Sequence, residues 1–194
     1  MSETRTLLLD GFIGRPQRFE KLLRTIRQRV GPAEIFRYDM SGRTRFEILG
    51  ARLATEIRHR DQPVNLIGFS MGGLVIRAAH LHDPTLPIQR AVLMNSPLRG
   101  SLLAYALPIG GIRQMRPSDE FLRRIKNTPW NIPTLVTWCP GDTAVIPGRS
   151  ARWPTAQETI CCSVPMHIWP VYSPGIHRRI VEFLAAESIA KVAN

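Results

Sequence analysis

Residues 64–76 read Val-Asn-Leu-Ile-Gly-Phe-Ser-Met-Gly-Gly-Leu-Val-Ile, and this stretch decides which fold the rest of the chain can adopt. It begins as an apolar run rich in strand-forming residues and ends as an apolar run compatible with a helix. Between the two lies Gly-Phe-Ser-Met-Gly at 68–72, the G-x-S-x-G pattern in which a strand turns at once into a helix. Such a turn crowds the residues two positions before and after the serine, so glycine is needed there. We therefore predict a strained backbone at Ser70, with its hydroxyl presented above the sheet edge at the positive end of a helix.

Strands and helices alternate along the rest of the chain. Besides the strand at 64–67, short apolar runs predict strands at 6–9, 35–38, 91–94, 134–138 and 159–161. Apolar residues at helical spacing predict helices at 16–30, 44–59, 118–127 and 174–191. This alternation predicts an α/β fold in one domain over residues 1–194, with a six-stranded, mostly parallel sheet flanked by helices on both faces.

Segment 97–117 interrupts the alternation, and its apolar run 101–112 has two interpretations. It could be a core helix and loop, or it could line an apolar pocket beside Ser70. In the second case, four of its residues would contact the substrate: Leu102, Leu103, Tyr105 and Leu107. The segment is short, so no large lid is expected.

The charge balance is strongly basic, with a formal net charge of +11. Nucleic-acid binding is not expected, because many of the basic residues lie on the outer face of amphipathic helices and are not interleaved with aromatic residues. A weak attraction to an anionic membrane surface fits the charge better.

Location and redox state follow from what the sequence contains. No apolar run approaches the roughly 20 residues that a membrane helix needs, and the first apolar stretch stops at Asp10 without forming a signal peptide. Cys139, Cys161 and Cys162 are an odd number that fits neither a disulfide framework nor a zinc site. We therefore expect reduced thiols and a cytoplasmic location.

A serine hydroxyl becomes a nucleophile only when a base removes its proton, and a third group must orient that base. Asp142 follows the fifth predicted strand in a Gly-Asp turn, at the strand end where ligands bind in open α/β sheets. It could be an ordinary turn aspartate, but its position in a Ser…Asp…His order makes it the best candidate acid.

Five histidines compete for the role of base. His59, His80 and His82 lie on or at the ends of helices and precede the acid. His177 begins the last helix, where exposure to solvent is expected. His167 lies in a loop after the sixth strand, and it is the preferred base.

The chain resembles the α/β-hydrolase lipases and esterases, particularly small lid-poor forms and relatives similar to GPI inositol-deacylases. The resemblance covers almost the whole chain. Its most specific parts are the strand-to-helix turn at 68–73, called the nucleophile elbow in this family, and the Gly-Asp turn. The supporting segments are 95–101 (Asn-Ser-Pro-Leu-Arg-Gly-Ser, like the family's T-P-x-x-G-S), 117–122 (Pro-Ser-Asp-Glu-Phe-Leu) and His167 followed by Ser173-Pro174.

This resemblance implies a catalytic triad and a sheet order. The triad is Ser70, Asp142 and His167, and the strands follow the order 2-1-3-4-5-6. The backbone N–H groups of Phe12 and Met71 would form the oxyanion hole.

The first loop departs from the family pattern. The family usually has His-Gly there, and this chain has Asp10-Gly11. An ionised Asp10 would oppose the developing oxyanion unless an arginine neutralises it, and Arg15 and Arg99 are the candidates.

Together these features predict a serine hydrolase that cleaves small-molecule or lipid carboxylic esters through an acyl-enzyme, with no metal or organic cofactor. A thioesterase acting on acyl-CoA or acyl-protein would use the same triad. A catalytically silent lipid- or protein-binding module on the same fold is the alternative from another class, and Asp10 favours it.

Overall fold

Six parallel strands form one sheet at the centre of the molecule. A computed structural model of the chain describes residues 4–60 and 62–186, apart from the side chain of Pro16. The strands follow the order β2-β1-β3-β4-β5-β6, and all neighbouring pairs are parallel. The strand order 2-1-3-4-5-6 is thereby confirmed. The strands are β1 (Arg5–Leu9), β2 (Ala33–Ile35), β3 (Val64–Phe69), β4 (Ile88–Met94), β5 (Thr134–Trp138) and β6 (Glu158–Cys161).

Helices cover both faces of the sheet, as the alternation predicts. The helices are α1 (Glu20–Arg29), α2 (Phe46–Arg58), α3 (Met71–His82), α4 (Gly110–Arg113), α5 (Glu120–Asn127), α6 (Trp169–Tyr172) and α7 (Pro174–Ala185). Short 3-10 helices span Pro16–Phe19, Leu102–Tyr105 and Gly148–Ala151. One apolar cluster packs α2, α3 and α5 against one face, and a second packs α1 and α7 against the other. Because the sheet is buried on both faces, its central strands can be apolar along their whole length.

Several predicted boundaries were displaced. The second strand is β2 at Ala33–Ile35 and not 35–38, because the chain leaves the sheet after Ile35 and Tyr38 turns its hydroxyl to the backbone oxygen of Asp10. Strand β4 begins three residues before the predicted start. Helix α7 ends at Ala185, and residues 187–191 of the predicted last helix lie outside the described residues.

A buried arginine joins α3 to two distant parts of the chain. Arg77 is 1% exposed, and its guanidinium carbon lies 4.2 Å from the ring centre of Trp130 and 4.7 Å from that of Trp153. The guanidinium donates hydrogen bonds to the carbonyl oxygens of Ile125 and Thr128. Burial lowers the pKa of Arg77 to about 9. This cation stacked on two indole rings stabilises the junction between α3, α5 and the loop after β5.

Neither a metal-binding cluster nor a membrane helix is found among the described residues. No group of three or more histidine, cysteine, aspartate or glutamate side chains in that part of the chain could hold a metal ion. None of its helices has the length and apolar character needed to cross a membrane. The three cysteines are free thiols, and only Cys161 is exposed.

Candidate active site

Ser70 lies at a sharp turn between β3 and α3. Its backbone has φ 53° and ψ −119°, a left-handed conformation that a non-glycine residue rarely adopts. The Ser70 N–H is held by the carbonyl oxygen of Met94 at 2.8 Å. A Cβ at Gly68 would lie 2.5 Å from the backbone nitrogen of Gly73, so the turn closes only with glycine there. The surrounding fold thus holds the strained conformation that the sequence predicts at Ser70.

Asp142 and His167 form a hydrogen-bonded pair on the loops after β5 and β6. His167 Nδ1 lies 2.9 Å from both carboxylate oxygens of Asp142. The carboxylate is fully buried, and it accepts hydrogen bonds from the N–H groups of Ala144 and Val145, each at 2.8 Å. The backbone therefore fixes the carboxylate, and the carboxylate fixes the tilt and tautomer of the imidazole.

The imidazole of His167 packs against the residue that precedes the turn serine. Its ring centre lies 4.9 Å from that of Phe69, and Asn95 Nδ2 donates to the His167 carbonyl oxygen at 3.1 Å. Within the described residues, His167 Nε2 is buried and has no hydrogen-bond partner. The structure thus brings Asp142, His167 and the Ser70 turn together, and it leaves His167 Nε2 without a partner in this part of the chain.

The first loop packs directly against the turn serine. A Cβ at Gly11 would lie 2.9 Å from the Cβ of Ser70, so glycine permits this close approach. Phe12 follows and shares a cavity with Ser70. Neither the Phe12 nor the Met71 N–H donates to another group in residues 4–60 and 62–186. Both N–H groups are therefore unpaired beside the serine within these residues.

Asp10 is paired, but with a different arginine from those expected. A terminal nitrogen of Arg18 donates to Asp10 Oδ1, and the Gly11 N–H donates to the same oxygen at 2.6 Å. Arg99 instead donates to the backbone carbonyl of Arg149 in the 3-10 helix Gly148–Ala151, and Arg15 is exposed. The 3-10 helix at Pro16–Phe19 turns the chain back, so Arg18 faces the loop.

The charge and burial at this pair affect a neighbouring tyrosine. The Tyr38 hydroxyl donates to the backbone oxygen of Asp10. Burial, reinforced by the Asp10 charge, raises the pKa of Tyr38 well above its usual value. The tyrosine is therefore a neutral donor that fixes the Asp10 carbonyl.

An apolar cavity of about 240 Å³ opens beside Ser70. Of the four residues expected to contact substrate, Leu103 and Leu107 line it, but Leu102 and Tyr105 do not. These two are 53% and 51% exposed. The reason is geometric: in a 3-10 helix residues three apart lie on the same face, and here that face is the outer one. The lining is formed by Phe12, Ser70, Pro97, Ser101, Leu103, Ala104, Leu107, Ile112, Met115, Ala144 and Val145.

His177 is not exposed, contrary to the expectation for the start of the last helix. It is 6% exposed, and its Nε2 lies 2.8 Å from the carbonyl oxygen of Val171. It faces inward because the first turn of α7 packs on α6. Burial lowers the pKa of His177, which favours the neutral ring.

Some functional positions were missed from the sequence. Arg18 had no distinguishing signal among many arginines. Ala144 and Val145 directly follow Asp142, so their place in the cavity wall could have been inferred from that neighbourhood. Ile112 and Met115 have helical spacing, but only the path of the chain brings them to Ser70.

Comparisons with known proteins agree on the architecture. No family model and no curated protein matches this chain. The mature Bacillus licheniformis lipase BlEst2 superimposes with a TM-score of 0.77 at 14% identity, over 95% of this chain and 93% of that one. The chain has the α/β-hydrolase fold.

Two further solved structures share this α/β-hydrolase fold. A Paleococcus ferrophilus monoacylglycerol lipase matches with a TM-score of 0.69 and 16% identity, over 95% of each chain. Aspergillus fumigatus lipase B matches with a TM-score of 0.74 and 13% identity, over 96% of this chain and 53% of that one. At identities this low the superpositions show the fold alone. The closer likeness to GPI inositol-deacylases stays a prediction.

Proposed function

We propose that this chain is a serine hydrolase that cleaves carboxylic esters through an acyl-enzyme. The observation that carries the proposal is the strained Ser70 turn with the hydrogen-bonded Asp142–His167 pair packed against it through Phe69. The lipases among the solved structures with this fold support the same reaction class.

The proposed mechanism gives Ser70, His167 and Asp142 one role each. Ser70 Oγ attacks the ester carbonyl carbon while His167 Nε2 accepts the hydroxyl proton. Asp142 stabilises the resulting imidazolium through Nδ1–H. The oxyanion accepts hydrogen bonds from the N–H groups of Phe12 and Met71.

Collapse of the tetrahedral intermediate releases the alcohol. His167 donates its proton to the leaving oxygen, and Ser70 remains esterified by the acyl group. His167 then removes a proton from water, whose oxygen attacks the acyl carbon. The bond to Ser70 Oγ breaks, His167 returns the proton to Oγ, and the carboxylic acid leaves. In the proposed complex the apolar cavity holds the acyl part of a lipid or small-molecule ester.

Labelling with a fluorophosphonate tests this proposal. The wild-type chain should gain one phosphonyl group, mapped to Ser70 by peptide mass spectrometry. Ser70→Ala should lose both labelling and p-nitrophenyl ester hydrolysis, because the nucleophilic oxygen is gone. Ser118→Ala, at an exposed serine, is the matched control and should behave like the wild type. Labelling at another serine, or activity in Ser70→Ala, would refute the mechanism.

The alternative of a silent binding module predicts no labelling at all. In the sequence, Asp10 supported the binding module, because its charge would oppose an oxyanion and so weaken catalysis. Since Asp10 is paired with Arg18 inside the first loop, that objection is weaker.

A further inference from the structure

The cavity beside Ser70 has a closed end and an open end. Ala104, Ile112 and Met115 are 4%, 5% and 8% exposed, and they form its inner wall. Leu103 and Leu107 are each 44% exposed and form its rim. A chain that enters over the two leucines would therefore be stopped by the buried side chains.

Apart from Ser70, no side chain of the wall offers a free polar group to a ligand. The second serine in the lining is Ser101, whose hydroxyl donates to the Ala144 carbonyl at 2.8 Å. The same oxygen accepts from the N–H groups of Ile146 at 3.0 Å and Leu103 at 3.3 Å. One donor and two lone pairs are the full capacity of a hydroxyl. No charged side chain lines the cavity, so a hydroxylated or charged acyl chain would lose hydration without compensation.

The volume limits the length of an apolar chain. An apolar cavity of about 150 Å³ inside a protein binds benzene, a ligand of six carbon atoms. By the same comparison, the 240 Å³ cavity beside Ser70 holds about ten carbon atoms. Carbons beyond that number find no space at the closed end, so a longer chain would displace the ester carbonyl from Ser70.

We propose that the cavity selects unsubstituted acyl chains of medium length, about six to ten carbons. The upper value is the number of carbon atoms that fit a cavity of this volume. Ala104 and Met115 set the limit at the closed end. The proposal rests on the ester hydrolase function proposed above, and it names the substrate class of the same site.

A series of p-nitrophenyl esters from acetate to palmitate, kept below their solubility limits, tests the selection. We expect kcat/KM to rise about twofold to fourfold per methylene up to about eight carbons, since each buried methylene contributes up to that factor. Beyond about ten carbons the value should level off or fall, because the space for methylenes is used up. A profile that peaks at acetate or palmitate would overturn the proposal.

Two variants, one that fills the closed end and one that enlarges it, test which residues set the preferred chain length, and a third variant is the control. Ala104→Leu adds three carbon atoms at the closed end and should move the best substrate toward shorter chains by about three carbons. Met115→Ala removes three heavy atoms and should move it toward longer chains by a similar amount. Leu102→Ala lies on the outer face of the same 3-10 helix and should leave the profile unchanged. An unchanged optimum in Ala104→Leu, with the fluorophosphonate labelling rate retained, would overturn the assignment.

Binding to Ser70→Ala separates this proposal from the hydrolase proposal. Calorimetry with the same esters reports chain preference without turnover, and we expect the tightest binding at about the same length. A labelled wild type with no chain preference refutes the pocket and leaves the hydrolase intact. An unlabelled wild type with the expected binding preference refutes the hydrolase and supports the pocket.

Discussion

Substitution of Arg18 by methionine would show how the buried Asp10 carboxylate shapes the first loop. Asp10 is fully buried, and Arg18 and the Gly11 N–H meet at one of its oxygens. The guanidinium also lies 5.0 Å from the ring centre of Phe69. Methionine keeps an apolar stem against that ring and removes the cation, so Asp10 loses its charged partner.

The magnitude follows from the burial of the pair. Removal of one partner from a buried ion pair costs about 3–5 kcal/mol in the free energy of unfolding. The lower end applies here, because the Arg18 side chain is still 14% exposed. At about 2–4 °C per kcal/mol for a domain of this size, a loss near 3 kcal/mol lowers Tm by roughly 6–12 °C.

The same change should lower turnover more than substrate binding. The Asp10 carboxylate holds the Gly11 N–H, and the next N–H along the chain is that of Phe12, the proposed oxyanion donor. Complete loss of one such donor costs roughly 10²–10³ in kcat, so a misaligned donor should cost about tenfold or more. KM should change less, because the oxyanion forms only near the transition state.

Differential scanning calorimetry and steady-state kinetics on four proteins test these values. Combining Arg18→Met with Asp10→Asn removes the buried charge but keeps an oxygen for the Gly11 N–H, so most of Tm and part of kcat should return. Arg15→Met, at an exposed arginine, is the matched control. A wild-type Tm in Arg18→Met would refute the buried-pair argument. A lowered Tm with unchanged kcat and KM would limit Arg18 to a structural role.

Three further predictions follow from the site and its surroundings. His167→Ala should reduce ester turnover about as severely as Ser70→Ala, because triad members act as a unit. His177→Gln should lower Tm with little effect on kcat. Loss of turnover in His177→Gln but not in His167→Ala would mean that the base lies on α7. Burial lowers the pKa of both His80 and His177 below 6.5, so the unfolded chain binds more protons below that pH. The free energy of unfolding, measured in urea, should therefore fall as pH decreases from about 7 to 5, and a His80→Gln, His177→Gln double variant should lose part of this slope. Because the cavity opens past a rim of half-exposed leucines, tributyrin hydrolysis should rise smoothly through the solubility limit, and a sharp jump in rate would contradict the open cavity.

The sequence was most informative where local chemistry dictates the structure. Strand ends in a parallel sheet meet at one edge, so residues that follow them lie near one another. This placed Ser70, Asp142 and His167 together, from the glycines of the serine turn, the Gly-Asp turn and a loop position. The strand order came from a family resemblance. The site predictions used the positions of three residues, and the prediction of a parallel sheet used the alternation of strands and helices.

Predictions that depended on side-chain direction were less successful. Arg18 could not be distinguished from Arg15 or Arg99, because its approach to Asp10 depends on a short 3-10 helix. The same kind of helix turned Leu102 and Tyr105 outward, although the apolar run gave no sign of it. In such a short helix, a shift of one residue decides whether a side chain faces the cavity or the solvent. The composition of an apolar run does not specify that shift.

The contact of Arg77 with both Trp130 and Trp153 has a consequence for variation among relatives of this chain. The three residues come from separate parts of the sequence, yet the two indole rings are the faces on which one buried cation rests. Loss of either ring would remove a partner of that cation, and loss of the arginine would remove the cation from both rings. We expect the three positions to be inherited together and replaced together. This linked set would mark a lineage within the fold independently of Ser70, Asp142 and His167, the residues proposed to be catalytic.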